Sequence, residues 1–250
     1  MIGQTEVPPK QNLPRESAVD WGSVLAGGRL SHWRRQALRK RRVWRLTIAS
    51  AEALKRGLDI AGALLALAIF SPVFALTALL IKLEDGGPVL FRQVRVGAEG
   101  RPFRCLKFRS MVVDADAVKT RLEAQNQHGS AGVTFKMKDD PRITRVGKWI
   151  RKLSIDEFPQ FVNVLRGEMS LVGPRPPVPM EVAQYRARDL RRLRVKPGIT
   201  CLWQIGGRAD IDFAGQVRLD LEYIHSESIW RDVMILLKTV PAVVFSRGAY

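Results

Sequence analysis

Residues 151–176 read RKLSIDEFPQFVNVLRGEMSLVGPRP and place an adjacent acidic pair, Asp156 and Glu157, inside a strongly basic chain. Ser154 stands three residues before Glu157, which is the spacing of a capping box. Apolar residues then recur at roughly helical spacing, at Ile155, Phe158, Phe161, Val162 and Leu165. The pattern predicts a helix that begins at the acidic pair and offers its positive end to an anion.

The acidic pair also has an ordinary structural explanation, because side chains at a helix start commonly cap the helix and complement its dipole. The turn that follows favours a functional explanation. Pro174 and Pro176 fix the backbone on both sides of Arg175 and remove two N–H donors. An arginine held on such a stiff turn is suited to bind a phosphate oxygen.

The composition limits the classes of protein to which the chain can belong. Its 250 residues are 46 % hydrophobic, which is enough for a folded core. A formal net charge of +17 implies acidic partners, such as phosphorylated metabolites, anionic lipid or nucleic acid. Cys105 and Cys201 are too few for a disulfide framework, and the three histidines form no zinc-ligand pattern.

An uncharged segment at 60–81, IAGALLALAIFSPVFALTALLI, is long enough for a transmembrane helix. Ser71 and Pro72 lie near its middle. The proline removes a backbone hydrogen bond, and the serine hydroxyl can satisfy a carbonyl that the proline frees. We therefore predict a break in the helix at Ser71 and Pro72.

Both flanks of this segment are basic, with a net charge of +7 in residues 1–59 and +10 in residues 60–250. The positive-inside tendency therefore assigns neither flank to the outside. A re-entrant helix that enters and leaves from the cytoplasmic face agrees with the charge and with the proline. A single straight span with a proline kink is the alternative.

Two segments after the apolar stretch predict a β-hairpin. They are PVLFRQVRVG at 88–97 and RPFRCLKFRSM at 101–111, separated by a short turn. The period of two places Phe103, Cys105, Lys107 and Arg109 on one face of the second strand. Lys107 and Arg109 can then point together at an anion, or they can simply protect an exposed sheet edge.

Other polar segments have several interpretations. The run at 29–45 has eight Arg or Lys and no acid, which favours a membrane surface over a solvated arm, with nucleic acid third. Arg151 lies on the polar side of an amphipathic helix pattern at 146–153, and Arg208 follows a glycine pair. Asp139-Asp140-Pro141 predicts a turn rather than a metal site.

Four motifs in this order resemble those of the bacterial sugar transferases, the monotopic polyprenyl-phosphate hexose-1-phosphate transferases, also called phosphoglycosyl transferases. They are Lys-Phe-Arg-Ser-Met at 107–111, Leu-Ser-Ile-Asp-Glu-Phe-Pro-Gln at 153–160, Gly-Glu-Met-Ser-Leu-Val-Gly-Pro-Arg-Pro at 167–176 and Lys-Pro-Gly-Ile-Thr at 196–200. The resemblance runs from about Leu54 to Val244.

The resemblance implies an α+β, membrane-anchored monotopic protein with a Pro-broken re-entrant helix and a mainly helical cytosolic domain containing a small β-hairpin. We expect a flexible basic tail at 1–53, the re-entrant helix at 54–83 and a catalytic domain with interfacial helices at 84–250. The expected location is the bacterial inner membrane, with the catalytic domain on the cytoplasmic face.

The resemblance also implies a reaction. A hexose-1-phosphate passes from a UDP-sugar, preferably UDP-glucose or UDP-galactose, to undecaprenyl phosphate, and UMP is released. This would be the first membrane step of exopolysaccharide synthesis. Asp156 would be the nucleophile and a ligand of Mg²⁺, and it would form an aspartyl-phosphosugar intermediate. Glu157 would be the second acid, near the metal or the acceptor proton.

We expect phosphate contacts from Arg175 and Arg151, followed by Lys107, Arg109 and Arg208. The expected partners are the UDP-sugar, undecaprenyl phosphate and membrane lipids, without nucleic acid, and the sequence admits a homo-oligomer. Two alternatives stay open. One is a membrane-tethered basic binding or scaffold protein without catalysis. The other is a glycosyltransferase that releases UDP.

Overall fold

A long N-terminal helix, two small sheets and several short helices make up the computed structural model, which describes residues 28–115, 140–206 and 211–244. The helices are α1 (Gly28–Asp85), α2 (Arg145–Lys152), α3 (Gln160–Arg166), α4 (Pro179–Val182), α5 (Leu202–Gly206), α6 (Phe213–His225) and α7 (Ile229–Val244). The strands are β1 (Leu90–Val96), β2 (Pro102–Phe108), β3 (Ser170–Val172) and β4 (Gly198–Thr200). The mixed α+β class is confirmed.

The chain divides into two compact units, Met1–Glu52 and Ala53–Tyr250. A flexible tail was predicted at 1–53. In the structure this part of the chain is helical from Gly28 onward. Residues 29–53 contain neither glycine nor proline and are rich in Arg, Leu and Ala, which are strong helix formers. The rest of the predicted tail, residues 1–27, lies outside the described residues.

Helix α1 continues through the Ser71-Pro72 step, so the predicted break at these residues is not seen. Pro72 has no N–H to donate to the carbonyl of Ala68, four residues earlier. The hydroxyl of Ser71 donates to that carbonyl instead, at 2.9 Å. The predicted compensation by serine is therefore confirmed, and it helps the helix to tolerate the proline.

The apolar part of α1 meets the length and composition of a membrane-crossing helix. One of its faces nevertheless packs against the rest of the second unit, because Asp59, Ala63, Thr77 and Ile81 are all buried. The opposite face is exposed and consists largely of leucine and isoleucine, at Leu58, Leu64, Leu65, Ile69, Leu76, Leu79 and Leu80. The helix thus has a protein-facing stripe and a free apolar stripe.

The beginning of this apolar segment is held by two charged residues. Asp59 accepts hydrogen bonds of 2.9 Å from the hydroxyl of Ser170 and the N–H of Leu171. Arg56 donates to two carbonyls in the last turn of α3, at 2.6 and 2.8 Å. The Val164 carbonyl also accepts from the N–H of Gly167 at 2.9 Å, so the arginine adds to the C-terminal cap of α3.

The end of the segment is held by the same unit. Glu84 accepts hydrogen bonds from the N–H groups of Arg145 and Val146, at the start of α2. Asp85 forms an ion pair with Arg109, directly after β2. Both ends of the apolar segment therefore bind to one folded unit, which constrains how the segment can lie in a bilayer.

The predicted hairpin is confirmed. Strands β1 and β2 are antiparallel, with a register that runs from Leu90 opposite Phe108 to Val96 opposite Pro102. The other edge of β2 is covered by the amide of Asn163 in α3. Its Oδ1 accepts from Leu106 N at 2.9 Å, and its Nδ2 donates to Arg104 O at 2.8 Å. A single side chain thus continues the sheet pattern and fixes α3 against the hairpin.

The second sheet pairs β3 with β4 in parallel, with Ser170 opposite Gly198. Two glycines allow the close approach of the backbones that follow. A Cβ atom on Gly173 would lie 2.5 Å from the carbonyl oxygen of Lys196, and one on Gly198 would lie 2.1 Å from the nitrogen of Gly173. These glycines belong to the Gly-Pro-Arg-Pro and Lys-Pro-Gly motifs, so the two motifs lie side by side.

We expect Asn163→Ala to lower the thermal unfolding midpoint of the detergent-solubilised protein by about 5–10 °C. The change leaves the buried N–H of Leu106 and the part-buried carbonyl of Arg104 without their partner, which costs about 2–3 kcal/mol. The midpoint can be followed by tryptophan fluorescence. Arg166→Gln, at an exposed position of the same helix, is the control. Equal midpoints for the two variants would contradict the role given to Asn163.

Candidate active site

The acidic pair lies in a short 3-10 helix, Ile155–Glu157, that precedes α3. The predicted capping box is wrong. Ser154 has φ 55° in the left-handed region and forms no side-chain cap hydrogen bond, whereas an N-cap residue needs extended backbone. The α-helix begins only at Gln160, after Pro159. The chain thus reverses at Ser154 and presents the two acids on a turn between α2 and α3.

Glu157 is paired with Lys107 of β2, with 2.6 Å between Oε1 and Nζ. Both side chains are mostly buried, at 25 % and 17 % exposure. Burial alone would raise the pKa of Glu157, but Lys107, then Arg175 and Arg95, outweigh it and lower the pKa to about 2. Glu157 is therefore an anion throughout the physiological range and a very weak base.

The pKa of Asp156 shifts in the opposite direction. Burial, together with the charge of Glu157, raises the pKa of Asp156 to about 6, although the positive charges of Lys107 and Arg151 oppose the rise. Asp156 is consequently the more basic carboxylate of the pair, and it is still largely ionised at pH 7. Two adjacent acids whose surroundings shift their pKa values in opposite directions are typical of active sites in which each acid has a different role.

The Gly-Pro-Arg-Pro turn is held rigidly beside the pair, as predicted. Two of its carbonyls accept hydrogen bonds, Pro174 from Gly198 N (2.9 Å) and Pro176 from Arg95 Nη1 (2.7 Å), and the carbonyl of Pro177, directly after it, accepts from Val96 N (2.9 Å). The prolines at 174 and 176 are buried, whereas Arg175 is exposed. The arginine therefore projects from a backbone that has little freedom to move.

A cavity next to Glu157 collects the polar groups of four segments. Its charged and amide lining consists of Arg95, Lys107, Glu157, Gln160, Arg175 and Gln204. Arg95 was missed by the sequence analysis. The signal was available, because Arg95 lies opposite Phe103 in the hairpin and therefore shares the face of Cys105 and Lys107.

The other predicted site residues differ in their placement. The positive charge of Arg151 opposes the rise in the pKa of Asp156, so Arg151 lies near the acidic pair. Arg109 does not converge with Lys107, because its guanidinium binds Asp85 and is buried there. Arg208 lies outside the described residues.

Asp140 is buried in an ion pair with Arg142 and also accepts from the Arg142 N–H at 3.0 Å. These contacts are those of the turn that was predicted here. Asp139 lies outside the described residues. In the described part of the chain there is no group of three or more His, Cys, Asp and Glu residues that could enclose a metal.

The acidic pair does fit one mode of metal binding. Mg²⁺ commonly takes one or two protein carboxylates and completes its shell with water and substrate phosphates. Asp156 and Glu157 are two adjacent carboxylates, and one oxygen of Glu157 is engaged by Lys107. The remaining oxygens of the pair are ligands of the kind that Mg²⁺ uses together with a phosphate.

An aromatic cluster connects the site to the apolar helix. Phe158, the residue after Glu157, packs against Phe70 and Phe74 of α1, with ring centroids 4.8 and 5.7 Å apart. These two phenylalanines flank the Ser71-Pro72 step. The acidic pair thus lies close to the part of the chain best suited to hydrocarbon.

Comparison with known proteins supports the resemblance. A family model described as bacterial sugar transferase matches residues 50–246. Galactosyl transferase CpsE of Streptococcus agalactiae serotype III is 53 % identical over 196 residues, which are 78 % of this chain and 43 % of CpsE. Exopolysaccharide production protein ExoY of Rhizobium meliloti is 44 % identical over 198 residues, which are 78 % of this chain and 88 % of ExoY.

A third relative, undecaprenyl-phosphate galactose phosphotransferase of Salmonella typhimurium, is 43 % identical over 203 residues, which are 80 % of this chain and 42 % of that protein. The chain therefore spans less than half the length of CpsE and of the Salmonella protein, and most of the length of ExoY.

We expect Lys107→Met to raise the pKa of both acids, because the variant removes the nearest cation. The pKa of Asp156, about 6 in the parent protein, should rise, so that a larger fraction of it is protonated at pH 7. Protonation of Asp156 in the metal-free protein can be followed by infrared spectroscopy as a function of pH. The carboxylic acid band of Asp156 is identified as the one that Asp156→Asn lacks. Lys148→Met, at an exposed position, is the control. An unchanged midpoint in Lys107→Met would contradict this electrostatic assignment.

Proposed function

The chain belongs to the bacterial sugar transferase family, and we propose that it transfers a hexose-1-phosphate from UDP-glucose or UDP-galactose to undecaprenyl phosphate. The observation that carries the proposal is the acidic pair among basic side chains, with Glu157 Oε1 2.6 Å from Lys107 Nζ and Arg175 lining the same cavity. The name of the Salmonella relative, undecaprenyl-phosphate galactose phosphotransferase, describes a transfer of this kind. The product, an undecaprenyl-diphospho-sugar, would begin an exopolysaccharide.

In the first half of the proposed reaction, a carboxylate oxygen of Asp156 attacks the β-phosphorus of the UDP-sugar. The bond from this phosphorus to the bridging oxygen breaks, and UMP leaves with the electron pair on its phosphate. The sugar phosphate stays bound to Asp156 as an acyl phosphate. A carboxylate with a pKa of about 6 supports this role, since it is ionised at pH 7 yet more nucleophilic than a carboxylate of lower pKa.

In the second half, a phosphate oxygen of undecaprenyl phosphate attacks the same phosphorus. The bond to the Asp156 oxygen breaks, and the carboxylate is regenerated. The acceptor phosphate is already ionised at neutral pH, so this step needs no strong base. That agrees with Glu157, whose pKa of about 2 makes it unsuited to remove a proton.

The positive charges have a distinct task, which is to reduce the repulsion between the Asp156 carboxylate and the diphosphate. Lys107, Arg151, Arg175 and Arg95 are the basic groups that act electrostatically on one or both acids. Mg²⁺, when bound by Asp156 and Glu157, would supply additional neutralisation of the phosphate oxygens. We accordingly expect the reaction to require a divalent cation.

We expect the detergent-solubilised protein, given Mg²⁺, undecaprenyl phosphate and a panel of UDP-sugars, to release UMP with UDP-glucose or UDP-galactose. Asp156→Asn should lower the rate by at least about 10³-fold, because the amide cannot attack phosphorus. Without acceptor, donor labelled at the β-phosphorus should label the parent protein but not Asp156→Asn. Removal of the divalent cation with EDTA should stop UMP release.

Other outcomes would favour the alternatives. Release of UDP would indicate a glycosyltransferase, which moves the sugar without its phosphate. No nucleotide release across a broad panel of UDP-sugars would favour a binding or scaffold protein. UMP release that is unchanged in Asp156→Asn would exclude Asp156 as the nucleophile.

We propose further that the apolar part of α1 enters and leaves the membrane from the cytoplasmic face. The support is that both of its ends bind the same folded unit, through Arg56 and Asp59 at one end and Glu84 and Asp85 at the other. A straight crossing would place these two ends on opposite sides of the bilayer, and a re-entrant path instead needs α1 to bend, for which Pro72 is the suited position. The arrangement also brings the acidic pair to the depth of a lipid phosphate.

Labelling of single cysteines tests this topology. We expect Ala53→Cys and Arg101→Cys, which flank the apolar segment at exposed positions, to react with an impermeant maleimide only from the cytoplasmic face. The native cysteines, Cys105 and Cys201, are buried and should give little background. Labelling of the two positions from opposite faces of sealed vesicles would show a straight crossing.

A further inference from the structure

A groove lies between the hairpin and α3, and its volume is about 430 Å³. That size is within the range of small-molecule sites, about 300–1,000 Å³. Two kinds of side chain line it: the groove arginines, at 92, 104 and 166, and the groove floor of Leu90, Leu106 and Val162. No acid is among these lining residues. The groove therefore combines positive charge with an apolar surface.

The groove is on the face of the hairpin opposite the acidic pair. Arg92 is opposite Leu106 in the register of the hairpin, so their side chains share one face. Lys107 follows Leu106 in β2 and therefore points to the other face, where it binds Glu157. The groove is consequently separate from the proposed active site.

The charge of the groove arginines is not balanced by the rest of the described chain. All three side chains are exposed, and none of them forms an ion pair or a side-chain hydrogen bond with another described residue. Three like charges around one groove attract an anion. The planar guanidinium group has the geometry to bind two phosphate oxygens at once, so a phosphate is the anion that such a cluster suits.

The groove also lies next to the apolar segment of α1. Phe108, two residues after Leu106 and on the same face of β2, packs against Phe74 of α1, with ring centroids 5.8 Å apart. Phe108 also shares a buried cluster with Ile81, near the end of α1. Leu90, at the start of β1, is 40 % exposed. The groove floor is thus continuous with the contact between the hairpin and the helix that is suited to hydrocarbon.

We propose that this groove binds the headgroup of an anionic phospholipid of the bilayer. The phosphate lies among the groove arginines and the first acyl carbons lie on the groove floor, while the rest of each chain stays in the membrane. The acceptor of the proposed reaction has to reach Asp156, across the hairpin, so it is not the lipid expected here. A phospholipid bound in the groove holds the hairpin, and with it Lys107, at the level of the headgroups.

Lipid binding to the detergent-solubilised full-length protein can be measured by native mass spectrometry. The protein is titrated with equimolar phosphatidylglycerol and phosphatidylcholine of identical chains, because only phosphatidylglycerol has a net negative charge. We expect the parent to retain phosphatidylglycerol in preference. Changing the three groove arginines to glutamine should weaken phosphatidylglycerol binding by about tenfold or more and leave phosphatidylcholine binding unchanged.

The matched control changes Arg188, Arg191 and Arg194 to glutamine, which removes the same charge from another exposed segment. It should bind phosphatidylglycerol as the parent does. An equal loss in the control would show general attraction to a basic protein and would overturn the proposal. Glycerol 3-phosphate, which has the phosphate without the chains, should not displace the lipid at equal concentration. Displacement by it would show a site for a soluble phosphate instead.

Other occupants of the groove have their own outcomes, and each would overturn the proposal. Displacement of phosphatidylglycerol by equimolar undecaprenyl phosphate would assign the groove to the acceptor. A lower proportion of oligomer in the groove variant, with unchanged lipid binding, would assign it to a second copy of the chain. Unchanged lipid binding and oligomeric state would leave the groove arginines as solvated side chains.

The groove arginines are exposed, so the glutamine variant should keep the thermal unfolding midpoint of the parent. If it does not fold, Arg92→Gln and Arg166→Gln decide, since they lie on different elements. Each should weaken phosphatidylglycerol binding by about two- to threefold, and unchanged binding in both would overturn the proposal. These measurements need neither donor nor turnover, so their failure would not bear on the proposed reaction.

Discussion

The ion pair between Lys107 and Glu157 is the contact on which the site depends. It joins the hairpin to the turn that carries both acids, across 50 residues of sequence. Its geometry requires the hairpin to be docked first, and the amide of Asn163 does that by covering the free edge of β2. The pair then affects the chemistry, because Lys107 keeps Glu157 ionised, while burial and the charge of Glu157 raise the pKa of Asp156.

The apolar helix contributes to the same site rather than serving only as an anchor. Its charged residues bind carbonyls, N–H groups and side chains of the folded unit at both ends, and Phe70 and Phe74 pack on the residue that follows the acidic pair. A substrate with a hydrocarbon tail and a terminal phosphate needs two surfaces close to each other. One is an apolar surface for the tail, and the other is a basic cavity with the acidic pair for the phosphate. The architecture thus suits chemistry at the level of the headgroups.

The distribution of buried charge separates structural from functional arginines. The buried arginines at 142 and 192 each have an aspartate partner, so their charge is balanced within the fold. Around Glu157, cations outnumber acids, and the fold holds them in place through backbone carbonyls and amides. Such an excess of fixed charge is costly without an anionic ligand and favourable with one.

Several features follow from residues that lie close together in the chain, so local sequence patterns determined them. They are the hairpin, the amphipathic helix before the acidic pair, the apolar segment, the serine that compensates Pro72 and the stiff turn around Arg175. Only the tertiary structure decided that Ser154 reverses the chain instead of capping a helix, that Arg109 pairs with Asp85 and that Arg95 lies in the cavity. The reason is physical: an ionic side chain takes the partner that folding brings within about 4 Å, and sequence spacing does not encode that distance.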